Sequence, residues 1–229
     1  CTGLVYKKDF SNERISLRFH FMYNKVKAND YASGSEQQIY RNLGFRSDIF
    51  EFGPIIEVDF FEFHPGQSHT DEPKFGTPYF FGGINYMRMN PMAKYEDIWI
   101  ALQPLGTEGQ ETILNTKKKY SLNQIVIPFG LGFKMNISHH LSLSIEYGMR
   151  KTYTDYLDDV SGLFVNKVDL EAKAGKMSAE LSDRSGYPQG INNSSYGLQR
   201  GNSNDKDWYV ISGIILTYEF FKDGTCPKW

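Results

Sequence analysis

The feature that most constrains this chain is a strict alternation of apolar and polar residues sustained over unusually long stretches. From Ile15 to Tyr23 the residues Ile15, Leu17, Phe19, Phe21 and Tyr23 share one side, opposite Ser16, Arg18 and His20. From Phe50 onward, Phe52, Pro54, Ile56, Val58 and Phe60 face away from Glu51, Gly53, Glu57 and Asp59. Successive side chains of a strand point to opposite faces, so each stretch reads as a strand with one greasy and one polar face. Their lengths exceed the roughly 5 to 6 residues of a typical soluble strand and suit a tilted membrane-spanning strand of about 9 to 11.

The same pattern recurs in Gly3 to Lys8, Thr77 to Asn90, Ser121 to Met135, Leu141 to Thr154 and Trp208 to Phe220, which makes seven strands in all. Ile125, Ile127, Phe129, Leu131 and Phe133 alternate with Val126, Pro128, Gly130, Gly132 and Lys134; Leu141, Leu143, Ile145, Tyr147 and Met149 alternate with Ser142, Ser144, Glu146, Gly148 and Arg150. Apolar outside and small or charged inside is the arrangement of a small barrel whose lumen is filled by side chains. The predicted fold class is therefore all-β: an antiparallel outer-membrane β-barrel, one domain over 1–229, with long extracellular loops and a short helix. Bacterial barrels of this kind have an even number of strands, so eight are expected, with an N-terminal strand missing from this sequence.

Composition narrows the function. Lys plus Arg is 25 against 27 for Asp plus Glu, so the chain lacks the positive footprint of a nucleic-acid-binding protein. Aromatic residues make up 15% and Gly numbers 21, the usage of many strands joined by turns. A mean hydropathy of −0.47 with no long apolar run excludes a transmembrane helix and leaves a barrel open. The two cysteines, Cys1 and Cys226, lie at opposite ends and form no metal or redox motif. Cys1 runs directly into a strand pattern, without the polar tether of a lipid-anchored chain.

Loop lengths alternate. The connections Asp9 to Glu13 and Asn136 to His140 are short, His64 to Gly76 is intermediate, and Lys27 to Phe45, Pro91 to Tyr120 and Asp155 to Asp207 are long. Short turns on one rim and long loops on the other are the habit of outer-membrane barrels, with the short rim periplasmic. The segment 155–207 is then a long loop insertion and 221–229 a periplasmic tail. Within the insertion, Leu170, Ala174, Met177 and Leu181 fall at helical spacing, predicting one short amphipathic helix over Val168 to Leu181.

The residues carry little sign of catalysis. No nucleophile elbow, phosphate loop or HExxH is present, and His20, the histidine within a strand, has no evident nucleophile beside it. Asp155, Asp158 and Asp159 lack the spacing of a calcium loop and read as a capped loop start or ion-pair network. His64, His69 with Asp71, and His139-His140 read as solvated turn residues. No cofactor or metal is expected. Glu51, Glu57, Asp59, Glu146 and Glu219 share the inner face with Arg18 and Arg150, predicting a structural ion network across the lumen with Arg18, Glu57, Asp59, Glu146 and Arg150 as its members, because a lone buried charge costs several kcal/mol. The loops are rich in turn-formers and amides, notably Gln103 to Gln110 with Gly106 and Glu108, Arg150 to Ser161 with Asp155, Asp158 and Asp159, Leu181 to Ser185, Gln199 to Gly201 and the ending Cys226 to Trp229. Loops built to be rigid point to recognition of a protein partner.

Several of these segments together resemble the PorG family of the type IX secretion system, integral outer-membrane barrels. The resemblance covers nearly the whole chain. It rests on Arg41-Asn-Leu-Gly-Phe-Arg-Ser47, Thr77-Pro-Tyr-Phe-Phe-Gly-Gly83, the Gln103 to Gln110 loop, Ile127-Pro-Phe-Gly-Leu-Gly-Phe-Lys134, Tyr153-Thr-Asp-Tyr-Leu-Asp-Asp-Val160 and Cys226-Pro-Lys228. The resemblance implies a non-enzymatic component of the type IX protein secretion system, and of gliding motility where present, tying the periplasmic ring of PorK and PorN (GldK and GldN in gliding bacteria) to the outer membrane. It further implies that Cys226, with Pro227 and Lys228, faces the periplasm, where Cys226 is a candidate for a disulfide with the ring lipoprotein. Such members have a further strand before Gly3. Two other readings stand beside this one: a small outer-membrane enzyme acting on lipid, and a narrow channel.

Overall fold

The computed structural model describes residues 1–10, 14–32, 34, 36–63, 76–138, 140–185 and 195–219. Nine strands form a single antiparallel sheet: β1 (Thr2–Asp9), β2 (Ile15–Asn29), β3 (Gly44–Asp59), β4 (Gly76–Gly83), β5 (Asn85–Tyr95), β6 (Ile98–Ala101), β7 (Asn123–Ser138), β8 (Leu141–Thr152) and β9 (Trp208–Tyr218). β4 and β5 both lie between β3 and β7 and are one strand interrupted at Ile84. Seven long strands therefore follow one another up and down, and β6 is a short hairpin partner of the far end of β5.

Alternation is strictest in β3. In β3 the burial switches at each residue from Ser47 to Asp59, with Ile49, Glu51, Gly53, Ile55, Glu57 and Asp59 buried and Phe50, Phe52, Ile56 and Val58 exposed. Neighbouring strands lie about 4.8 Å apart, so four steps along a flat sheet would separate residues by roughly 19 Å. Yet Tyr209 on β9 donates a hydrogen bond to Glu51 on β3 at 2.9 Å, and Arg18 on β2 bonds to Glu146 on β8. The sheet is thus rolled into a barrel-like form around a filled interior.

The roll does not close within these seven strands. Among the described residues β1 has β2 as its sole ladder partner and β9 has β8. With seven alternating strands β1 and β9 run in the same direction, so they cannot form an antiparallel ladder with each other.

The interior is packed by a few large side chains over glycines. Tyr79 and Phe81 from β4 are nearly completely buried. A Cβ at Gly132 would run into the Tyr79 ring, and one at Gly148 would stand 2.7 Å from the Phe81 ring. These positions on β7 and β8 are therefore held to glycine by close approach. Towards the long connections the filling becomes apolar, with Ile49, Met87, Met89, Val126, Leu157 and Tyr209 in one cluster.

The strands extend further than their apolar pattern indicated. β2 and β3 remain paired out to Asn29 and Gly44, so the first long connection is confined to 30–43, a 3-10 turn (Asp30–Ala32) and α1 (Glu36–Arg41). β5 continues to Tyr95 before turning into β6. The helix expected over Val168 to Leu181 is two helices, α2 (Lys167–Ala174) and α3 (Lys176–Ser182). Gly175 between them has φ +90°, a conformation that ends a helix and suits glycine. Asn166 caps α2, its side chain accepting from the N–H groups of Val168 and Asp169. Leu170 and Leu181 are buried as the spacing requires.

Candidate functional site

Two sets of buried polar residues organise the molecule, one inside the roll and one in the loops. Inside, nearest the short turns, Arg18 pairs with Glu57 at 2.8 Å and with Glu146. Lys7 meets Glu57 at 2.9 Å, and Lys134 meets Asp59 at 2.7 Å and Glu57 at 3.5 Å. Tyr79 donates to Glu146 at 2.6 Å. Three cations thus oppose three carboxylates, and Arg18, Glu57, Lys134 and Asp59 have side chains 3 to 5% exposed. Charge balance at that depth satisfies the requirement that buried ions be paired.

A second layer lies further along the interior. His20 contacts Glu51 at 3.1 Å, the Asn85 amide donates to Glu51 at 2.7 Å, and Tyr209 donates to the other Glu51 oxygen at 2.9 Å. Arg150 stands 3.8 Å from the same carboxylate. The five residues expected to form one lumen network are therefore divided: Arg18, Glu57, Asp59 and Glu146 belong to one layer, and Arg150 to the other. Lys7 and Lys134 complete the first layer. Both occupy inward positions of the period-2 pattern, so strand parity was a signal that could have found them. Glu51 at the centre of the second layer was legible as inward facing, but nothing local connected it to Tyr209.

The loop set centres on Arg200. Its guanidinium pairs with Glu108 at 3.2 Å and Asp159 at 3.5 Å, donates to the Ser182 carbonyl at 3.1 Å, and bonds the Asp159 carbonyl. Glu108 also accepts the N–H groups of Ser161 and Gly162, both at 2.9 Å, and the Tyr156 hydroxyl at 3.1 Å. Asp159 accepts from Tyr120 at 2.7 Å and from Thr107. The first connection joins through Arg41, which holds Asp30 in a bidentate pair at 2.7 Å and donates to the Arg200 carbonyl at 2.8 Å. All three long connections are thereby tied into one cap over the open end of the strands.

The loop carboxylates expected to serve a partner lie inside the cap in this chain. Glu108 is 2% exposed, Asp159 1% and Asp155 6%, and the oxygens of Glu108 and Asp159 are engaged inside the cap. Gly106, in a left-handed conformation with φ +63°, is buried too, and Gln103 donates its amide to the Tyr120 carbonyl at 3.0 Å. Their work is to fix the backbone of the loops, because a carboxylate that collects backbone N–H groups holds a turn where water would otherwise compete. Asp158 accepts the Val160 N–H at 3.0 Å, and burial together with the Asp207 charge raises its pKa to about 7. Asp207 is itself raised to about 6 by burial, opposed by the Leu157 N–H it accepts. Burial pushes Asp159 upward against the pull of Arg200. Arg200 was invisible as a centre in the sequence, since Glu108 and Asp159 lie 92 and 41 residues away.

The residues expected to touch a partner below the short rim, Cys226, Pro227 and Lys228, lie outside the described residues, as do His64, His69, Asp71 and His139. Cys1 is exposed, with no disulfide partner among the described residues. Among the described residues no group of three His, Cys, Asp or Glu side chains is placed to hold a metal ion.

No curated protein and no solved structure matches this chain. A family model does, over residues 1–170, which takes in β1 to β8 and ends within α2. By that match the chain belongs to the family described as a domain of unknown function, DUF6089.

Proposed function

We propose that this protein is a non-enzymatic outer-membrane component of the type IX secretion system, anchoring the periplasmic PorK and PorN ring (GldK and GldN in gliding bacteria) to the membrane. The observation that carries the membrane reading is the contrast between the two faces of the roll. Its outer face bears Phe19, Phe52, Ile56, Leu131, Ile145, Tyr147, Ile214 and Leu216, each 49 to 70% exposed, while its inner face bears buried ion networks. A water-soluble monomer rarely exposes a contiguous apolar patch beyond a few hundred Å². Lipid would cover this one at no cost. The three long connections all leave the same rim and the short turns the other, which suits an extracellular cap and a periplasmic base. An eighth strand, antiparallel to both β1 and β9, would complete the even count and leave no open edge.

The filled interior favours an anchor over a channel, because Tyr79, Phe81 and the paired charges occupy the space an aqueous path would need. The secretion-system assignment rests on the resemblance, and its segments are structurally connected. Arg41, the Gln103 to Gln110 loop and Tyr153 to Val160 meet in the cap, and Ile127 to Lys134 supplies Gly132 and Lys134 to the interior. In this reading Cys226 forms a disulfide with the ring lipoprotein in the oxidising periplasm.

The test is a non-reducing against a reducing gel of protein taken from outer membranes in mild detergent, with mass spectrometry of the bands. A heavy band that resolves on reduction into this chain and a ring lipoprotein, and that disappears in Cys226→Ser, is the expected result. Loss of the lipoprotein from the heavy band, or its persistence in Cys226→Ser, would overturn the covalent anchor.

A further inference from the structure

A cavity of about 410 Å³ opens where the three long connections meet. That volume falls within the roughly 300 to 1,000 Å³ of small-ligand pockets. One wall is apolar, formed by Ala93, Leu102 and Leu181, which pack together as a cluster. Three guanidinium groups line the remainder, and their circumstances differ. Arg41 is neutralised by Asp30 at 2.7 Å. Arg200 is neutralised by Glu108 and Asp159. Arg184 donates to the backbone carbonyl of Lys94, and among the described residues no carboxylate stands within ion-pair distance of it. Glu180, whose field reaches Arg184, is itself paired with Lys176 at 3.6 Å.

An arginine drawn part way out of water without a carboxylate is an unusual expense for a cap that pairs its other buried arginines. Burial lowers its pKa below the ordinary arginine value, against the opposing pull of the Glu180 charge. Its planar fork retains N–H donors with no acceptor among the described residues, and that fork matches a carboxylate in shape and charge.

We propose that the cavity is a binding site for a carboxylate on a short apolar stem, the carboxylate held by Arg184 and the stem lying on Ala93, Leu102 and Leu181. Asp158 also lines the cavity, and below its raised pKa of about 7 it presents a neutral carboxyl to the ligand rather than a second negative charge. A peptide C-terminus and a short fatty acid share this chemistry. The site depends on the loop geometry alone and not on the secretion-system reading.

Isothermal titration of the purified protein near pH 6 with three probes tests it: acetyl-leucyl-leucine with a free carboxylate, the same dipeptide as its C-terminal amide, and octanoate. The free acid should bind at least about tenfold more tightly than the amide, a difference of about 1.4 kcal/mol. Arg184→Gln should reduce the acid to the level of the amide, and Arg184→Lys should recover part of the difference. Ala93→Val narrows the apolar wall without touching a charge and should weaken acid and amide alike. Tighter binding of the dipeptide acid than of octanoate assigns a peptide C-terminus, and the reverse order assigns a fatty acid. Equal binding of acid and amide, no binding of any probe at millimolar concentration, or an Arg184→Gln protein that keeps its melting temperature and its preference for the acid would each overturn the proposal.

Discussion

The interior of the roll and the cap above it both bury charged residues, but they satisfy them by different means. In the interior, carboxylates are met by side chains from other strands: Glu57 by Arg18, Lys7 and Lys134, and Glu51 by Tyr209, Asn85 and His20. The strand backbone is already committed to its ladders and has no N–H to offer. In the cap the backbone is free of ladders, and Glu108, Asp158 and Asp207 each accept N–H groups from it. Interior charges therefore hold distant strands to one another, whereas cap charges hold loops in shape. Damage to the first should be felt by the whole molecule and damage to the second by the cap alone.

The largest effect is expected from Arg18→Met. It leaves Glu57 and Glu146 without their shared cation, and breaking a buried pair costs about 3 to 5 kcal/mol. The loss should appear as a single lowered melting transition reporting on all strands. A local effect, with the strands unchanged, would break the comparison.

Arg200→Met should cost about 3 kcal/mol, confined to the loops, since the partners left behind are Glu108 and Asp159. Faster protease cleavage between residues 155 and 207, with an unaltered melt of the strands, is the expected outcome. A global loss equal to that of Arg18→Met would show that cap and roll fold as one unit.

A smaller effect comes from Tyr209→Phe, which removes one hydrogen bond to Glu51 and should cost about 1 to 3 kcal/mol because the acceptor is charged. It reports on the junction of the two regions, since Tyr209 also packs in the apolar cluster with Leu157 from the cap segment.

The smallest effect is a pH dependence of the cap. The folded pKa of Asp158, about 7, lies above its unfolded value near 3.9, so the folded state binds the proton more tightly. Its contribution is fullest below pH 4 and is lost as pH rises through 7. Asp207, raised to about 6, acts in the same direction, while Arg200 and Arg41 draw Asp158 the other way. The cap of the native protein should exchange amide hydrogens more readily relative to Asp158→Asn at pH 8 than at pH 5.5, by a margin of order 1 kcal/mol. An equal margin at both values would remove Asp158 as the titrating group.

The sequence carried the roll and concealed the cap. Alternation named the inward residues of β2, β3, β7 and β8, because the two-residue period of a strand is set by local backbone geometry. It understated strand length, since β2 and β3 continue to Asn29 and Gly44 through residues that are polar or half-buried. The helical spacing of Leu170 and Leu181 is legible, and so is the glycine between them, yet spacing alone does not mark the break at Gly175 because glycine is tolerated within many helices. In the cap, Arg200 lacks any local pattern, and the carboxylates assigned to a partner are those it and the backbone retain.

By itself the sequence determined the number of long strands, the face each residue takes and the side on which the long connections emerge. These follow from periodicity and spacing along the chain, which need no knowledge of what lies across from a residue. The tertiary structure decided the rest: that Arg150 serves Glu51 while Arg18 serves Glu57, that Arg200 gathers three loops, and that Arg184 is left without a carboxylate among the described residues beside a cavity. Those outcomes depend on how far the sheet curls and on which loops then come within about 3 Å of one another, quantities fixed by the packing of the whole chain rather than by any segment of it.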